Sequence, residues 1–252
     1  MKHPSIWAVP LLTISTQYGA THFHEALARF VALSNQPKLT RAQLEHAIWG
    51  VHLPFNKLAV WHRVKYLWKD PVSKIQSTAD SIHCQPKRLN PCSNTIPAHF
   101  DTALINDGTG KNTGIEGAYL NIIWLRQSLI SCLGYHIGCI HVVFSLPERS
   151  LSSLFNPGVE VPALLTYVQW FSPFPNKPNW DHLLYKLKPL KDTNGSHIAS
   201  IIPLKNIHCS THLIPKFGSF APQEWKSSTV LDLCDTFFVN TYTDRHFFRV
   251  VH

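Results

Sequence analysis

Residues 53–69 read LPFNKLAVWHRVKYLWK, and the change of hydrophobic period inside this stretch decides the fold. Upstream, apolar residues recur at helical spacing. From Leu53-Pro54 onward the period is closer to 2 and turn residues recur, as short strands require. As one strand over 58–68, the stretch places Val60, His62, Val64, Tyr66 and Trp68 on one face and Trp61, Arg63, Lys65 and Leu67 on the other. The second face mixes rings with cations. Arg63 and Lys65 could contact phosphates while Trp61 stacks on a base. The competing reading is a solvated basic face whose aromatic rings pack inward.

Working outward, Thr21 is placed to cap a helix carrying Phe23, Leu27, Phe30 and Val31 on one side. Thr40-x-x-Gln43 forms a capping box ahead of Leu44, Ala47, Ile48 and Val51. Residues 1–20 are read as a poorly defined leader, 21–52 as a two-helix segment and 53–252 as a mainly β domain. The strand candidates beyond 58–68 are 75–84, 99–106, 137–146, 164–171, 183–188, 197–207 and 235–241. Asp192-Thr193-Asn194-Gly195 sits between two of these, and its Asn-Gly supplies the positive φ angles that a tight hairpin requires. The proline-rich segments 86–97 and 173–178 read as loops.

Composition limits the function classes. A chain of 252 residues with 44% hydrophobic and 12% aromatic content can bury a substantial core. The excess of 23 Lys+Arg over 15 Asp+Glu gives a net charge of +8, which favours a polyanionic partner. Six cysteines without CxxC pairs read as reduced thiols, and hence an intracellular chain of nucleus or cytoplasm. Lys2 followed by Ile6–Ile14 imitates a secretory signal, but Pro10 interrupts the run. No stretch reaches the ~18 apolar residues of a membrane span.

The motifs for chemistry are incomplete. Gly108-Thr109-Gly110-Lys111 lacks the earlier glycine and the Ser/Thr of a phosphate loop, with Ile105 and Asn112 at those places. His22 with His24, Cys84 with Cys92, and His208 and Cys209 with His212 each offer partial zinc spacing, none with four ligands. No nucleophile elbow or His-Glu-x-x-His helix occurs. Asp101, Asp107, Glu116, Asp232 and Asp235 are the carboxylates available to a two-metal centre, without a pattern that brings them together. The expectation is therefore no catalytic residue, no metal, no cofactor and no small-molecule substrate. The nucleic-acid candidates are Arg63, Lys65, Lys69, Lys87 and Arg88.

Seven segments occur in order: HFHEALARFVALSNQPKLTRAQLE, VHLPFNKLAVWHRVKYLWKD, HFDTALINDGTG, VVFSLPERSLSSLF, YVQWFSPF, ASIIPLKNIHCSTHLIPKFG and VLDLCDTFFVNTYTDRHFF. Together they resemble the C-terminal region, a domain of unknown function, of Plavaka-type, CACTA-like transposases of basidiomycete fungi. The resemblance implies a transposase-derived module without the catalytic core, contributing to DNA or chromatin contact or to assembly with other transposase subunits. It also implies, by analogy with plant CACTA-type transposases, a small β-barrel in which Tyr167–Phe171 pairs with Ala199–Ile207. The fold expected is thus α+β: a short N-terminal helical segment followed by a mainly antiparallel, small barrel-like β domain. Family members run directly from a GVEG turn into the next strand, whereas here Ala118–Gly134, AYLNIIWLRQSLISCLG, intervenes. That segment reads as a translated intron, or alternatively as an amphipathic helix with Ile122, Leu125 and Leu129 inward. Two other functions stay open, a protein-interaction barrel without a nucleic-acid role and a transposon relic.

Overall fold

A computed structural model describes residues 3–69, 77–106, 134–175 and 177–241. The phosphate-loop candidate, Asp107, Glu116 and all of the 118–134 segment except Gly134 lie outside the described residues. In chain order the elements begin with β1 (Ile6–Pro10), α1 (Leu11–Gln17), α2 (Phe23–Asn35), α3 (Arg41–Trp49), β2 (Lys57–Trp61) and β3 (Arg63–Lys69). Next come β4 (Ser77–Gln85), β5 (Arg88–Leu89), β6 (Thr95–Ile96), β7 (His99–Phe100), β8 (Thr102–Asn106) and β9 (Tyr135–Ser145). They are followed by α4 (Glu148–Leu154), β10 (Leu165–Trp170), β11 (Tyr185–Leu187), β12 (Ala199–Pro203), β13 (Ile207–Thr211), β14 (Leu213–Pro215), α5 (Val230–Leu233) and β15 (Phe237–Val239).

The capping box at Thr40 is present: Thr40 Oγ1 accepts from the Gln43 amide and the Gln43 side chain accepts from the Thr40 amide. Thr21 does not cap α2, whose N-cap is His22 with no side-chain hydrogen bond. Burial of Phe23, Leu27, Phe30 and Val31 against the sheet holds that helix instead, consistent with packing outweighing local caps. Residues 6–17, read from sequence as leader, form β1 and α1.

A seven-stranded antiparallel sheet is built around β9. One edge of β9 pairs with β10, which pairs in turn with β12. Its other edge is divided, with β2 against Val143–Ser145 and β8 against Tyr135–Cys139. The expected pairing of the Tyr167 and Ala199 segments is there, with Tyr167 opposite Ile201. The expected barrel is not: neither this sheet nor any of the three smaller ones closes. The reason is burial on both faces. Phe144, Tyr167 and Ile201 pack under α2, while Ile140, Val143, Val168 and Ile202 pack against Val64 and Ile82 of β3 and β4. A sheet covered on both sides has no exposed apolar face to enclose by curling.

The predicted strand 58–68 is two strands in two layers. It breaks at His62, so β2 joins the large sheet and β3 pairs with β4 in a separate sheet ordered β3-β4-β7. Cys84 holds the break, its amide donating to the His62 carbonyl and its thiol to the Trp61 carbonyl. Asp80, on the inward face of β4, ties this sheet to β13 by accepting from the Ser210 amide at 2.6 Å and its hydroxyl at 2.8 Å. A third cluster, including Phe171, Leu187, Phe237 and Val239, joins the sheet β11-β15-β14 to one end of the core.

Candidate functional site

The outer face of β3-β4-β7 gathers the polar side chains. Pairing sets Arg63 opposite His83, Lys65 opposite Ser81, and Gln85 opposite His99, and cross-strand partners share a face. Val64, Ile82 and Cys84 alternate with them and are buried. Asp101 continues from β7 onto the same face, its amide donating to the His83 carbonyl at 2.9 Å.

His83, His99 and Asp101 converge there. Asp101 Oδ2 accepts from the His83 amide at 2.7 Å and lies 3.0 Å from His83 Nδ1. Asp101 Oδ1 lies 2.8 Å from His99 Nε2. The two imidazoles stack at 5.0 Å between centroids and 12° between planes. Among the described residues this is the one group of three or more His, Cys, Asp or Glu side chains arranged to hold a metal ion.

The sequence candidates scatter differently. Arg63 and Lys65 are exposed on this face, roughly 6.6 Å apart along the strand at ~3.3 Å per residue. Lys87 and Arg88 are exposed just beyond the end of β4, the end at which Arg63 begins β3. Lys69 lies at the other end of β3, paired with Ser77, and its side chain is outside the described residues. Four of the five named cations therefore cluster toward one end. None of the partial zinc spacings forms a ligand group: Cys84 is buried and donates to Trp61, whereas Cys92 is exposed. The convergent set was missed because its spacing is cross-strand, and the available signal was His99-x-Asp101, whose two-residue step puts both on one strand face.

The opposite side of β7 borders a second feature. Phe100 stacks on His141 at 4.6 Å, beside a cavity of about 200 Å³ also lined by Gln169, His197 and Asp232. His141 is the extra residue of a β-bulge: Tyr167 pairs with Val142 while Val168 pairs with Ile140. Its Nδ1 lies 2.7 Å from the Tyr18 carbonyl, which fixes the tautomer with the proton on Nδ1. Burial lowers the His141 pKa below the usual imidazole range, against hydrogen bonds to Tyr18 and Gln169 that push it up. Burial also lowers His197, assisted by Lys191, and raises the Cys139 thiol. The result is a neutral imidazole beside unreactive sulfur, in a space smaller than the ~300–1,000 Å³ typical of ligand pockets.

Burial, with a smaller contribution from Arg88, lowers the pKa of His62. His62 Nε2 lies 2.8 Å from Tyr18 OH, whose pKa burial raises to about 12. This pair links the break between β2 and β3 to the C-terminal end of α1.

No family model matches the chain, and it matches no curated protein sequence and no solved structure. None of these comparisons returns a transposase or a fungal protein, so the transposase-like, fungal identity expected from the seven segments is withdrawn along with the barrel.

Proposed function

We propose that the chain is a binding module whose β3-β4-β7 outer face takes the phosphate backbone of a nucleic acid. The observation carrying this reading is the alignment of Arg63 and Lys65, exposed and in register with His83 and Ser81 on an ordered strand pair, with Lys87 and Arg88 at the same end. Cations fixed on a sheet meet a polyanion with less ordering cost than cations on a loose segment. The +8 net charge adds long-range attraction of the same sign. Ser81 and Gln85 supply neutral hydrogen-bonding groups between the charges, of the kind that bind phosphate oxygens. Such groups position a backbone and carry no base information, so the reading is of sequence-tolerant binding.

The test is the double variant Arg63→Gln, Lys65→Gln, which keeps strand length and most of each aliphatic stem. For each phosphate that the variant no longer engages, the slope of log affinity against log salt should fall by about one unit, and binding to all sequences should weaken alike. Both residues are exposed, so folding should change by no more than about 0.5 kcal/mol. A folded double variant with unchanged affinity and salt slope would refute the reading.

A further inference from the structure

We propose that His83, His99 and Asp101 bind a divalent transition-metal ion of the zinc class. Two imidazoles and one carboxylate suit zinc, cobalt(II) or iron(II) and disfavour magnesium and calcium, which prefer oxygen alone. The geometry is close to that of a loaded site. Ligand atoms about 2.1 Å from a common ion at tetrahedral angles are about 3.4 Å apart. Here His83 Nδ1 lies 3.0 Å from Asp101 Oδ2 and His99 Nε2 lies 2.8 Å from Oδ1 of the same carboxylate, and with one ligand atom taken from each residue the three lie within 4.8 Å of one another. About half an ångström of spreading admits the ion at the carboxylate. The remaining closure, between the two ring nitrogens, falls to His99, whose side chain is 60% exposed at the end of a two-residue strand.

Two further features fit a cation. The His83 amide donates to Asp101 Oδ2 and Asp101's own amide to the His83 carbonyl, so the carboxylate is oriented by backbone before any ion arrives. Outer hydrogen bonds of this kind are what hold metal ligands in place. The set provides three protein ligands and leaves a fourth position facing solvent, with Arg63 on the adjoining strand opposite His83. This inference does not depend on nucleic-acid binding.

The experiment is a cobalt(II) titration of the full chain without nucleic acid, read by visible absorption and followed by displacement with zinc(II). One equivalent of a tetrahedral-type cobalt band, displaced by zinc, is expected. His99→Ala should weaken binding at least about tenfold with the circular dichroism spectrum unchanged, since the side chain is exposed. The double variant His22→Ala, His24→Ala, at a histidine pair elsewhere, should bind as the parent does. No displaceable band in the parent, or a band that survives His99→Ala, overturns the assignment. Either failure leaves the salt-slope experiment on Arg63 and Lys65 untouched.

Discussion

Gly138→Ala is a one-methyl change whose effect can be worked out from the structure. Gly138 lies in β9 between Ala103 of β8 and Trp170 of β10, in the centre of the large sheet. A Cβ built there meets Val168 Cγ1 at 2.2 Å and Ile105 Cδ1 at 2.9 Å. The first approach is about 1.3 Å short of the ~3.5 Å at which carbon atoms attract. Ile105 Cδ1 is the end of a flexible chain and can turn aside. Val168 is β-branched, stiff at χ1 and fully buried, so backbone must move. Overpacking of this kind costs about 1–3 kcal/mol, against a gain of about 0.4–1 kcal/mol from restricting the unfolded chain. A net loss of about 1–1.5 kcal/mol follows from the middle of these ranges. Val168→Ala alone removes two buried carbons, worth about 1.6 kcal/mol at ~0.8 each, and leaves a void where the new methyl would sit. In the double variant the two defects fill one another, so adding Gly138→Ala to Val168→Ala should cost close to nothing. Urea denaturation of the four proteins, with matching m-values, gives the coupling directly. Additivity within about 0.5 kcal/mol would refute the packing argument.

Two further outcomes concern the parts that position the site. His141 is buried with a lowered pKa, so between its folded value and the ordinary ~6.5 the unfolded chain binds the extra proton; stability is full above about pH 6.5 and falls as pH drops, by up to ~1.4 kcal/mol per unit. His62 and His197 are shifted the same way, so the diagnostic is the flatter pH dependence of the urea midpoint in His141→Gln relative to the parent. Asp80→Ala leaves the Ser210 and Ser81 amides without their acceptor and should cost about 2–4 kcal/mol, because hydrogen bonds to a charged group contribute about 1.5–3 kcal/mol each and are not additive. Amide exchange at Ser210 should accelerate well before the centre of β9 does; equal acceleration throughout would mean Asp80 does not tie the two sheets locally.

The fold was legible where local chemistry and burial agree. The capping box at Thr40 depends on residues three apart and is read directly from the chain. The turn at 192–195 is likewise local: Asp192 accepts from the Asn194 and Ser196 amides and Gly195 takes φ 81°, although Asn194, also expected at positive φ, does not. The longer central strands were legible from period 2, but β1 in the stretch read as leader, β5 and β6 inside the segment 86–97 read as a loop, and β14 were not, and neither was layer membership. Val60 and Val64 share parity in the sequence, yet Val60 packs under the helices and Val64 against the opposite side of the large sheet. The break at His62 lies inside an unbroken run of strand formers. Its cause is Cys84, 22 positions on, whose amide and thiol take the two carbonyls at the break. Period alone has no access to a hydrogen bond made across a sheet. The barrel came instead from the analogy with plant CACTA-type transposases, and the pairing of the Tyr167 and Ala199 strands on which it rested is compatible with a closed or an open sheet.

The candidate site shows where the sequence stops informing. Arg63 and Lys65 were visible as an alternating basic face because i and i+2 on a strand point the same way. What stands beside them was hidden by register. Placing His83 next to Arg63 requires knowing that Arg63 pairs with His83, a choice a one-residue slip would reverse. In that slipped arrangement Ile82 and Cys84 would face solvent and His83 would enter the core. Burial of two apolar side chains against exposure of one imidazole therefore fixes the register, and the register delivers His83 to Asp101. The metal-ligating geometry is thus a by-product of hydrophobic pairing at the flanking positions. Among these residues only His99 and Asp101 carried a local signal, and it is too short to separate from chance in a chain with 16 histidines.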